Sequence, residues 1–474
     1  SAALLASLML ESAEVSRAAL SLMVCSLMAW VTWRERRYRY KKPLVLTERA
    51  RRIRRLAAAL LVPLVFLGAQ HALLAVLVIQ AVPLVLIAAD TLLTPLQMRI
   101  NDGFVDDARD RLARMNPVRI GITGSFGKTT VKHMLGEILA ASGPVFYSRG
   151  SINTILGLTR HIRERLQWSH RYFIAEMGAY GEGSIQRLCD FAAPGFGIVT
   201  AVGDAHTERF GGIDAIARAK SELVQNVCAG GGIAVINAAV LDHEPFRRLR
   251  EQYAGRVITV GPQEADVVVT DTSDADGLRT VALKSAVPSI PSTRYTLPLL
   301  GEHNVINSAL AVTLALAVDP SIADDVPFFT KELAQVPHRL QRIDHPGQPL
   351  ILDDAYNANE KGFVGAVTVL SELAEKRGGR AILVTPGITE LGLEHDRVHG
   401  RLGAVCSDRC DVVYVVNPER IRSFTEALDR ARVKVVEVAT FADARRAIGR
   451  DANAQDAVLY ENDLPDVLEE RRLL

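Results

Sequence analysis

A glycine-rich segment, Gly121-Ile122-Thr123-Gly124-Ser125-Phe126-Gly127-Lys128-Thr129-Thr130, joins a β-rich run at 118–122 to a helical pattern that continues to residue 141. A loop in this position presents backbone N–H groups and a helix N-terminus to phosphate. Lys128 adds a cation, and Thr129 offers a hydroxyl to Mg²⁺. The spacing is Thr-Gly-x-x-Gly-Lys-Thr, because Gly121 comes one residue too early for the usual pattern. The order of strand, loop and helix favours a phosphate-binding loop over a plain turn.

Short β-rich runs alternate with helical stretches on both sides of this loop, which is typical of a wound parallel sheet. The predicted strands are 118–122, 171–175, 196–200, 232–236, 349–352, 381–385 and 412–416. Pro320, Asp324, Asp325 and Pro327 interrupt a helical pattern and indicate a domain boundary. We expect a central domain at 101–328 and a C-terminal domain at 329–474.

Three chemically suggestive side chains follow the loop in order. Glu176 ends the second predicted strand of the central domain, and His206 follows the third. Lys220 comes fourteen residues after His206 on a predicted helix. Each residue alone has an ordinary explanation, as a core or surface side chain. Their order after a phosphate-binding loop favours a functional site.

At this point the sequence resembles the Mur ligase family, and most closely its MurF branch, which adds D-alanyl-D-alanine to a UDP-linked muramoyl tripeptide. Further motifs carry the resemblance: Ser151-Ile152-Asn153-Thr154, Gly301-Glu302-His303-Asn304, Pro337-His338-Arg339-Leu340, Asp353-Asp354-Ala355-Tyr356-Asn357-Ala358-Asn359 and Pro386-Gly387 with Glu390-Leu391-Gly392 and His399. Together they extend over about three quarters of the chain.

The resemblance implies a role for each matching position. The residues that would hold the ATP phosphates are Thr123, Gly124, Ser125, Gly127, Lys128, Thr129 and Thr130. Asn304 would contact adenine, Arg339 the phosphates, and Asp354 and Tyr356 the ribose region. The metal ligands for Mg²⁺ would be Thr129, Glu176, His206 and Lys220, with Lys220 converted to an anionic N-carbamate. Lys128, Glu176, His206 and Lys220 would carry the catalysis.

These residue types suit an ATP-dependent ligase that joins a carboxylate to an amine. Transfer of the γ-phosphoryl group to a carboxylate brings two anions together, and Mg²⁺, Lys128 and Arg339 offset their repulsion. An amine then attacks the acyl phosphate to form an amide. The implied partners are ATP, a carboxylate acceptor such as a UDP-muramoyl or lipid-linked peptide, and an amino acid or dipeptide. No nucleic-acid partner is expected.

The net charge of +1 conceals two opposed parts of the chain. Residues 1–100 hold 13 Lys and Arg against 5 Asp and Glu, a charge of +8, and the remaining residues carry −7. Apolar stretches at 16–33, 56–68 and 72–93 flank a basic loop at 34–55, which predicts about three transmembrane helices with the loop in the cytoplasm. The sequence thus predicts a multi-pass inner-membrane protein that binds lipid through residues 1–100, with its catalytic domains in the cytoplasm.

The complete prediction is an α/β protein: a P-loop central domain with a parallel-rich sheet and a C-terminal Rossmann-like domain, preceded by the transmembrane helices. Five scattered cysteines without a CxxC pair argue for reduced thiols. Two departures from MurF proteins concern the substrate. The transmembrane segment replaces a UDP-binding domain, and Glu461-Asn462-Asp463 stands where a Lys-Gly-Ser stretch is common. A poly-γ-glutamate synthase-like ligase and a membrane-coupled ATPase without ligase activity remain alternatives.

Overall fold

The computed structural model describes residues 46–68, 72–148, 150–203, 210–273, 279–356, 358–389 and 391–463, together with residues 26, 30 and 33. The chain divides into two compact units, and the division falls between Phe104 and Val105. Two helices belong to the first unit in whole or in part, α1 (Glu48–Gly68) and α2 (Ala72–Met115). Both sheets lie in the second unit.

The predicted multi-pass membrane location is wrong, and the prediction of about three transmembrane helices is not supported. Most of the first predicted span, 16–33, lies outside the described residues, as do 34–45 of the basic loop. Helix α1 carries one acidic and five basic residues in its first eight positions, so its apolar part falls short of the ~20 residues that a span needs. Within the described ranges, one helical stretch, Gln80–Met115, is long and apolar enough to cross a membrane. A single such helix is weak evidence for a membrane span.

The second unit contains two sheets, and all seven predicted strands are present within two residues of their expected bounds. The strands of the first sheet are β1 (Val118–Thr123), β2 (Val145–Tyr147), β3 (Tyr172–Glu176), β4 (Phe196–Val199), β5 (Ile233–Asn237), β6 (Val257–Gly261), β7 (Val267–Ser273), β8 (Arg279–Ser285) and β9 (Thr293–Leu297). Its helices are α3 (Lys128–Leu139), α4 (Ile155–Arg165), α5 (Ser184–Ala192), α6 (Ile213–Ala229), α7 (Glu244–Gln252), α8 (Glu302–Val318) and α9 (Val326–Lys331).

The first sheet has the strand order β2-β3-β1-β4-β5-β6-β7-β8-β9. Pairing is parallel from β2 to β7, and the last two pairings, β7 with β8 and β8 with β9, are antiparallel. The β1 strand lies between β3 and β4, with Ile122 opposite both Glu176 and Ile198. The loop that follows β1 therefore emerges between the carboxyl ends of β3 and β4, where ligands bind in open α/β sheets.

The second sheet has the order β10-β11-β15-β12-β13-β14 and is parallel except for β10. Its strands are β10 (Gln341–Ile343), β11 (Leu350–Asp354), β12 (Ala381–Thr385), β13 (Val412–Val416), β14 (Lys434–Val438) and β15 (Ala457–Glu461). The accompanying helices are α10 (Glu360–Arg377), α11 (His395–Arg409), α12 (Arg422–Ala427) and α13 (Phe441–Asp451). This arrangement agrees with the expected Rossmann-like second domain.

Apolar side chains cover both faces of each sheet. On the first sheet, α3 and α8 bury one face through residues such as Leu135 and Leu314, and α5 and α6 bury the other through Leu188 and Leu223. The central strands are consequently continuous apolar runs, as expected for parallel strands buried on both sides. Leu383 belongs to one of the two apolar clusters on the second sheet. The packed cores hold the strand ends, and with them the loops, in fixed positions.

Candidate functional site

The glycine-rich loop leaves β1 in a conformation that requires glycine at two positions. Gly124 has φ +153°, and a Cβ atom there would lie 1.9 Å from Thr200 Oγ1. Gly127 has φ +81° and immediately precedes α3. A side chain would strain the backbone at either position, and it would collide with Thr200 at Gly124 and with Asn307 at Gly127. The sequence Gly-Ser-Phe-Gly-Lys thus folds as a tight turn that ends at a helix N-terminus.

Hydrogen bonds fix this loop to the end of β4. The Ser125 amide donates to the Ala201 carbonyl at 2.8 Å, and the Ser125 hydroxyl lies 3.0 Å from both the oxygen and the nitrogen of Gly203. Thr200 donates its hydroxyl hydrogen to the Phe126 carbonyl. On the other side, the Thr123 hydroxyl donates to the Met177 carbonyl at 3.1 Å. The loop is therefore held by both neighbouring strands.

Lys128 is the first residue of α3 and curls back over the loop. Its Nζ donates to the Gly124 carbonyl at 2.6 Å. Burial lowers the pKa of Lys128; Glu176 raises it, and Arg339 lowers it further. The cation is thus positioned above the loop, where a phosphate would meet it, and it is close enough to Arg339 of the second domain to be affected by that charge.

Glu176 ends β3 with a buried carboxylate that is 1% exposed. Its Oε2 accepts hydrogen bonds from the Thr129 hydroxyl at 3.0 Å and from Lys132 Nζ at 2.9 Å. Its Oε1 accepts a longer bond from Asn153 Nδ2, at 3.4 Å. Glu176 and Thr129, two of the predicted metal ligands, are therefore in direct contact.

Lys132 was absent from the sequence-based set. It lies one helical turn after Lys128 on α3, is fully buried, and forms an ion pair with Glu176. The sequence feature that could have identified Lys132 is its spacing. It lies four residues after Lys128 and three after Thr129, so all three side chains lie on one side of the helix. A lysine on a helix is usually exposed to solvent. The sequence alone therefore gave no reason to expect the ion pair between Lys132 and Glu176.

Lys220 projects from α6 into the same cleft and is 5% exposed. Burial, followed by repulsion from Lys128, lowers the pKa of Lys220 well below its ordinary value. The structure thus brings this predicted ligand close to the phosphate-binding loop. His206, the other predicted ligand, lies outside the described residues. The cleft is lined by Gly124, Ser125, Lys128, Asn153, Gly178, Ala179, Tyr180, Phe210 and Lys220.

Asn304 lies in the first turn of α8, beside the phosphate-binding loop. Its Nδ2 donates to the Leu300 carbonyl at 2.7 Å, and its Oδ1 accepts from Asn307 at 3.3 Å. Asn307 in turn approaches Gly127, where an added Cβ atom would lie 2.7 Å from Asn307 Oδ1. The predicted adenine contact therefore belongs to a short chain of amides that ends at the loop.

Arg339 occupies a turn with unusual backbone geometry between α9 and β10. Its neighbours His338 and Leu340 both have positive φ, 59° and 50°. The Leu340 amide donates to Asp354 Oδ1 at 3.1 Å, which fixes the turn to the end of β11. The guanidinium lies 4.2 Å from the centre of the Tyr356 ring, within the range of a cation–π contact.

The same turn brings the second domain to the first. The Tyr356 hydroxyl is hydrogen bonded to the Ser151 hydroxyl, and Arg339 contributes to the electrostatics of Lys128. Burial raises the pKa of Asp354 to about 6. Arg339, Asp354 and Tyr356 therefore form one group, which is linked to the first domain through Ser151 and through the charge on Lys128.

His399 has a structural role here. It is fully buried, its Nε2 accepts from the Ile388 amide at 3.0 Å, and its Nδ1 lies 2.8 Å from the His395 carbonyl. Burial lowers the pKa of His399 to about 4, so the ring is neutral at neutral pH. It fixes the loop after β12 instead of offering a free nitrogen to a ligand.

The strand–loop–helix unit and its switch-point cleft place the molecule in the class of P-loop α/β proteins with a second Rossmann-like domain. The chain belongs to the Mur ligase family. A model of the Mur ligase middle domain matches residues 122–315, and a model of the Mur ligase glutamate ligase domain matches residues 338–460. The sequence-based prediction of a MurF-like member of this family is confirmed by the relatives that follow.

UDP-N-acetylmuramoyl-tripeptide–D-alanyl-D-alanine ligase of Escherichia coli strain K12 is 31% identical over 289 residues, covering 60% of this chain and 62% of that protein. The ligase of the same name from Mycobacterium tuberculosis strain H37Rv is 32% identical over 291 residues, covering 60% and 55%. The chain thus spans less than two thirds of the length of these relatives.

Two solved structures have the same fold. MurF from Acinetobacter baumannii has a TM-score of 0.64 at 26% identity, covering 76% of this chain and 77% of that one. The MurF ligase from Thermotoga maritima in complex with ADP has a TM-score of 0.65 at 24% identity, covering 77% and 80%. The relatives are named as ligases of a UDP-linked substrate. Together with the single weak candidate helix among the described residues, this counts against the predicted inner-membrane location.

Proposed function

We propose that this protein is an ATP-dependent ligase that joins the carboxylate of a UDP-muramoyl tripeptide to the amine of D-alanyl-D-alanine. The observation that carries the proposal is a cleft lined by Lys128 and Lys220, with the buried Glu176 joined to it through Asn153 and in contact with Thr129. The two domain matches in family order support the reaction class. The names of the relatives support the two substrates.

The loop from Thr123 to Thr130 would bind the ATP phosphates. Its backbone turns around Gly124 and Gly127 and leads into the N-terminus of α3, which favours an anion. Lys128 would add a positive charge beside the transferred phosphoryl group. Asn304 would contact the adenine, while Asp354 and Tyr356 would contact the ribose region from the second domain.

Mg²⁺ fits the donor set at the end of β3. Thr129 and Glu176 supply a hydroxyl and a carboxylate, the oxygen ligands that Mg²⁺ prefers, and they are already in contact. Bound there, the cation would neutralise charge on the phosphates. His206 remains a predicted ligand.

Lys220 suits N-carbamoylation. Burial lowers the pKa of its amine, and the neutral amine is the form that reacts with carbon dioxide. The described residues within the cleft give Lys220 no acidic partner, while Lys128 repels its charged form. A carbamate would reverse the sign of this side chain, which would turn the repulsion from Lys128 into attraction and provide oxygen ligands.

The reaction would proceed in two balanced steps. The acceptor carboxylate attacks the γ-phosphorus of ATP, the bond to the bridging oxygen breaks, and ADP leaves as an acyl phosphate forms. The neutral amine then attacks the acyl carbon, phosphate leaves, and the amine gives up a proton. Lys128 and Arg339 would offset the repulsion between the carboxylate and the phosphates. The turn at Arg339 would couple the predicted C-terminal domain, 329–474, to the predicted central domain, 101–328.

An ADP-release assay tests the proposal. The purified full chain is mixed with ATP, Mg²⁺, UDP-muramoyl tripeptide and D-alanyl-D-alanine, and the products are identified by mass spectrometry. We expect one ADP per amide formed, and little ADP when either substrate is omitted. ADP release independent of both substrates would indicate an ATPase, and a ladder of products would indicate repeated glutamate addition. The ladder is sought in a parallel assay in which glutamate replaces D-alanyl-D-alanine as the amine. Either result would contradict the proposal.

A further inference from the structure

Lys132 connects three segments of the site from a fully buried position. Its Nζ donates to Glu176 Oε2 at 2.9 Å, to the Gly150 carbonyl, and to the Ser148 hydroxyl at 3.5 Å. These contacts join α3, the end of β3 and the segment that follows β2. A charge with no exposure to water and three polar contacts is held in a single arrangement.

The contacts make the two oxygens of Glu176 unequal. Oε2 accepts from a cation, Lys132, and from the Thr129 hydroxyl. Oε1 accepts one long bond, 3.4 Å, from Asn153, whose side chain lines the cleft. Oε2 is therefore occupied by protein donors, and Oε1 is the oxygen with capacity for a further partner on the cleft side.

This inequality bears on the kind of cation that the site accepts. A carboxylate with one free oxygen binds a cation through that oxygen alone, which suits the octahedral geometry and short bonds of Mg²⁺. A carboxylate with both oxygens free can bind in bidentate fashion, which suits the larger Ca²⁺. A side chain that occupies one oxygen thus selects for the smaller cation.

We propose that Lys132 is a positioning residue that makes Glu176 a ligand through Oε1 only and thereby sets the preference of the site for Mg²⁺ over Ca²⁺. This inference rests on the proposed function, since it requires a nucleotide-linked cation at Glu176. A purely structural ion pair would make a different prediction. Its loss would weaken the binding of both cations alike and leave their ratio unchanged.

The test measures cation binding directly. Mn²⁺ bound to the full chain in the presence of ADP is followed by electron paramagnetic resonance and is displaced by Mg²⁺ or by Ca²⁺. In Lys132→Met, which keeps the length of the side chain and removes its charge, we expect the ratio of Mg²⁺ to Ca²⁺ affinity to fall by about tenfold. Lys132→Arg, which retains a charged donor, is expected to keep a ratio close to that of the wild type.

Glu137→Gln is the matched control on the same helix. Glu137 accepts a hydrogen bond from the Ala334 amide at 3.0 Å, and glutamine retains an acceptor, so the ratio should stay unchanged. An unchanged ratio in a folded Lys132→Met protein would overturn the inference and leave the proposed function intact. Failure of the wild type to bind Mn²⁺ with ADP would overturn both.

A second measurement requires no variant. In a crystal of the wild-type chain grown with ADP and Mn²⁺, the anomalous signal of the metal should lie beside Oε1 of Glu176, with Lys132 still bonded to Oε2. A metal bound to both oxygens, or to Oε2, would contradict the proposal even if Lys132→Met did not fold.

Discussion

Two buried glutamates occupy equivalent places in the two sheets and have opposite surroundings. Glu176 ends β3 of the first sheet, Glu461 ends β15 of the second, and each is 1% exposed. Glu176 accepts hydrogen bonds from Thr129, Lys132 and Asn153. Among the described residues, Glu461 Oε2 has no hydrogen-bond partner, and its neighbour across the sheet is another acid, Asp354.

The difference shows that burial alone does not define the electrostatic role of a strand-end carboxylate. Burial raises the pKa of Glu461 well above its ordinary value, and Asp354 raises it further. Glu461 is therefore biased toward its neutral form, whereas Glu176 has a buried cation beside it. We conclude that the first sheet has a charged end, where Glu176 pairs with Lys132, while the second sheet has an acid whose charge is unfavourable.

The largest expected effect on the rate concerns Lys220, which lines the cleft near Lys128. If the charged end of the first sheet carries the chemistry, Lys220→Ala should lower kcat by about 10²–10³, because a preorganised charge in the site is lost. Added acetate or propionate should restore part of the rate by occupying the position of the carbamate. The measurement is the ADP-release rate with both substrates, with and without the added carboxylate.

Exposed Lys284 supplies the control for this experiment, since Lys284→Ala removes a lysine far from the proposed chemistry. It should leave kcat unchanged. A Lys220→Ala protein with full activity would show that the reaction does not take place at the charged end of the first sheet. The difference between the surroundings of Glu176 and Glu461 would then have no bearing on function.

Removing the cation from Glu176 should make its environment resemble that of Glu461. Lys132→Met leaves the Glu176 carboxylate buried without its ion-pair partner, so we expect a loss of about 3–5 kcal/mol in stability. The double variant Lys132→Met/Glu176→Gln should recover much of that loss, because the uncompensated charge is removed as well. Thermal unfolding followed by circular dichroism measures both. A double variant less stable than Lys132→Met would contradict this electrostatic account.

Neutralising Glu461 should stabilise the protein, whereas removing the charge of Lys132 should destabilise it. Glu461→Gln removes a carboxyl group whose ionised form is buried without a hydrogen bond at Oε2, so we expect a gain of about 1–3 kcal/mol near neutral pH. The comparison is the melting temperature of the variant and of the wild type. Glu426→Gln, at an exposed position on α12, is the matched control and should change little.

The gain in stability from Glu461→Gln should increase as the pH rises. Because its pKa is raised in the folded chain, the folded state keeps this proton to a higher pH than the unfolded state does. The stability that this provides is present below the ordinary glutamate pKa and is lost as the pH rises toward the raised value. The difference between Glu461→Gln and wild type should therefore grow with pH. A difference that shrinks as pH rises would refute this assignment.

The sequence was sufficient to predict those features that depend on a local pattern of residues. The loop at 121–130 carries its glycines, lysine and threonine in order, and the apolar runs of the buried parallel strands were recognisable without a partner. Eight of the described strands were not predicted: β2, β6, β7, β8, β9, β10, β14 and β15. In the hairpin strands β8 and β9 the half-buried faces mix polar and apolar residues, which hides the pattern. The place of β8 in the sheet depends on its pairing with β7, and that of β9 on its pairing with β8.

The remaining errors came from contacts between distant segments. From the sequence, Lys132 resembles an exposed lysine on a helix. Its partner Glu176 lies 44 residues later in the chain, and only the position of β3 in the sheet places the two side chains together. The hydropathy of residues 56–93 resembles that of membrane spans, but hydropathy does not reveal where a helix begins, and α1 starts within the basic run at Glu48. Glu461 was visible as a departure from the family pattern, but its lack of a partner follows only from the packing around β15.

The smallest expected effect concerns the link between the two sheets, the hydrogen bond between Tyr356 and Ser151. Tyr356→Phe removes this bond and keeps the ring beneath Arg339, so the loss should be about 0.5–1.5 kcal/mol, a rise of tenfold or less in the KM for ATP. Ser151→Ala should have the same effect, and the double variant should be no worse than either, because all three lack the same bond. Tyr253→Phe, where the hydroxyl contacts Gln225 away from the cleft, is the control. Additive effects of the two substitutions would show that Tyr356 and Ser151 act separately, and that the charged end of the first sheet is not coupled to the second sheet through them.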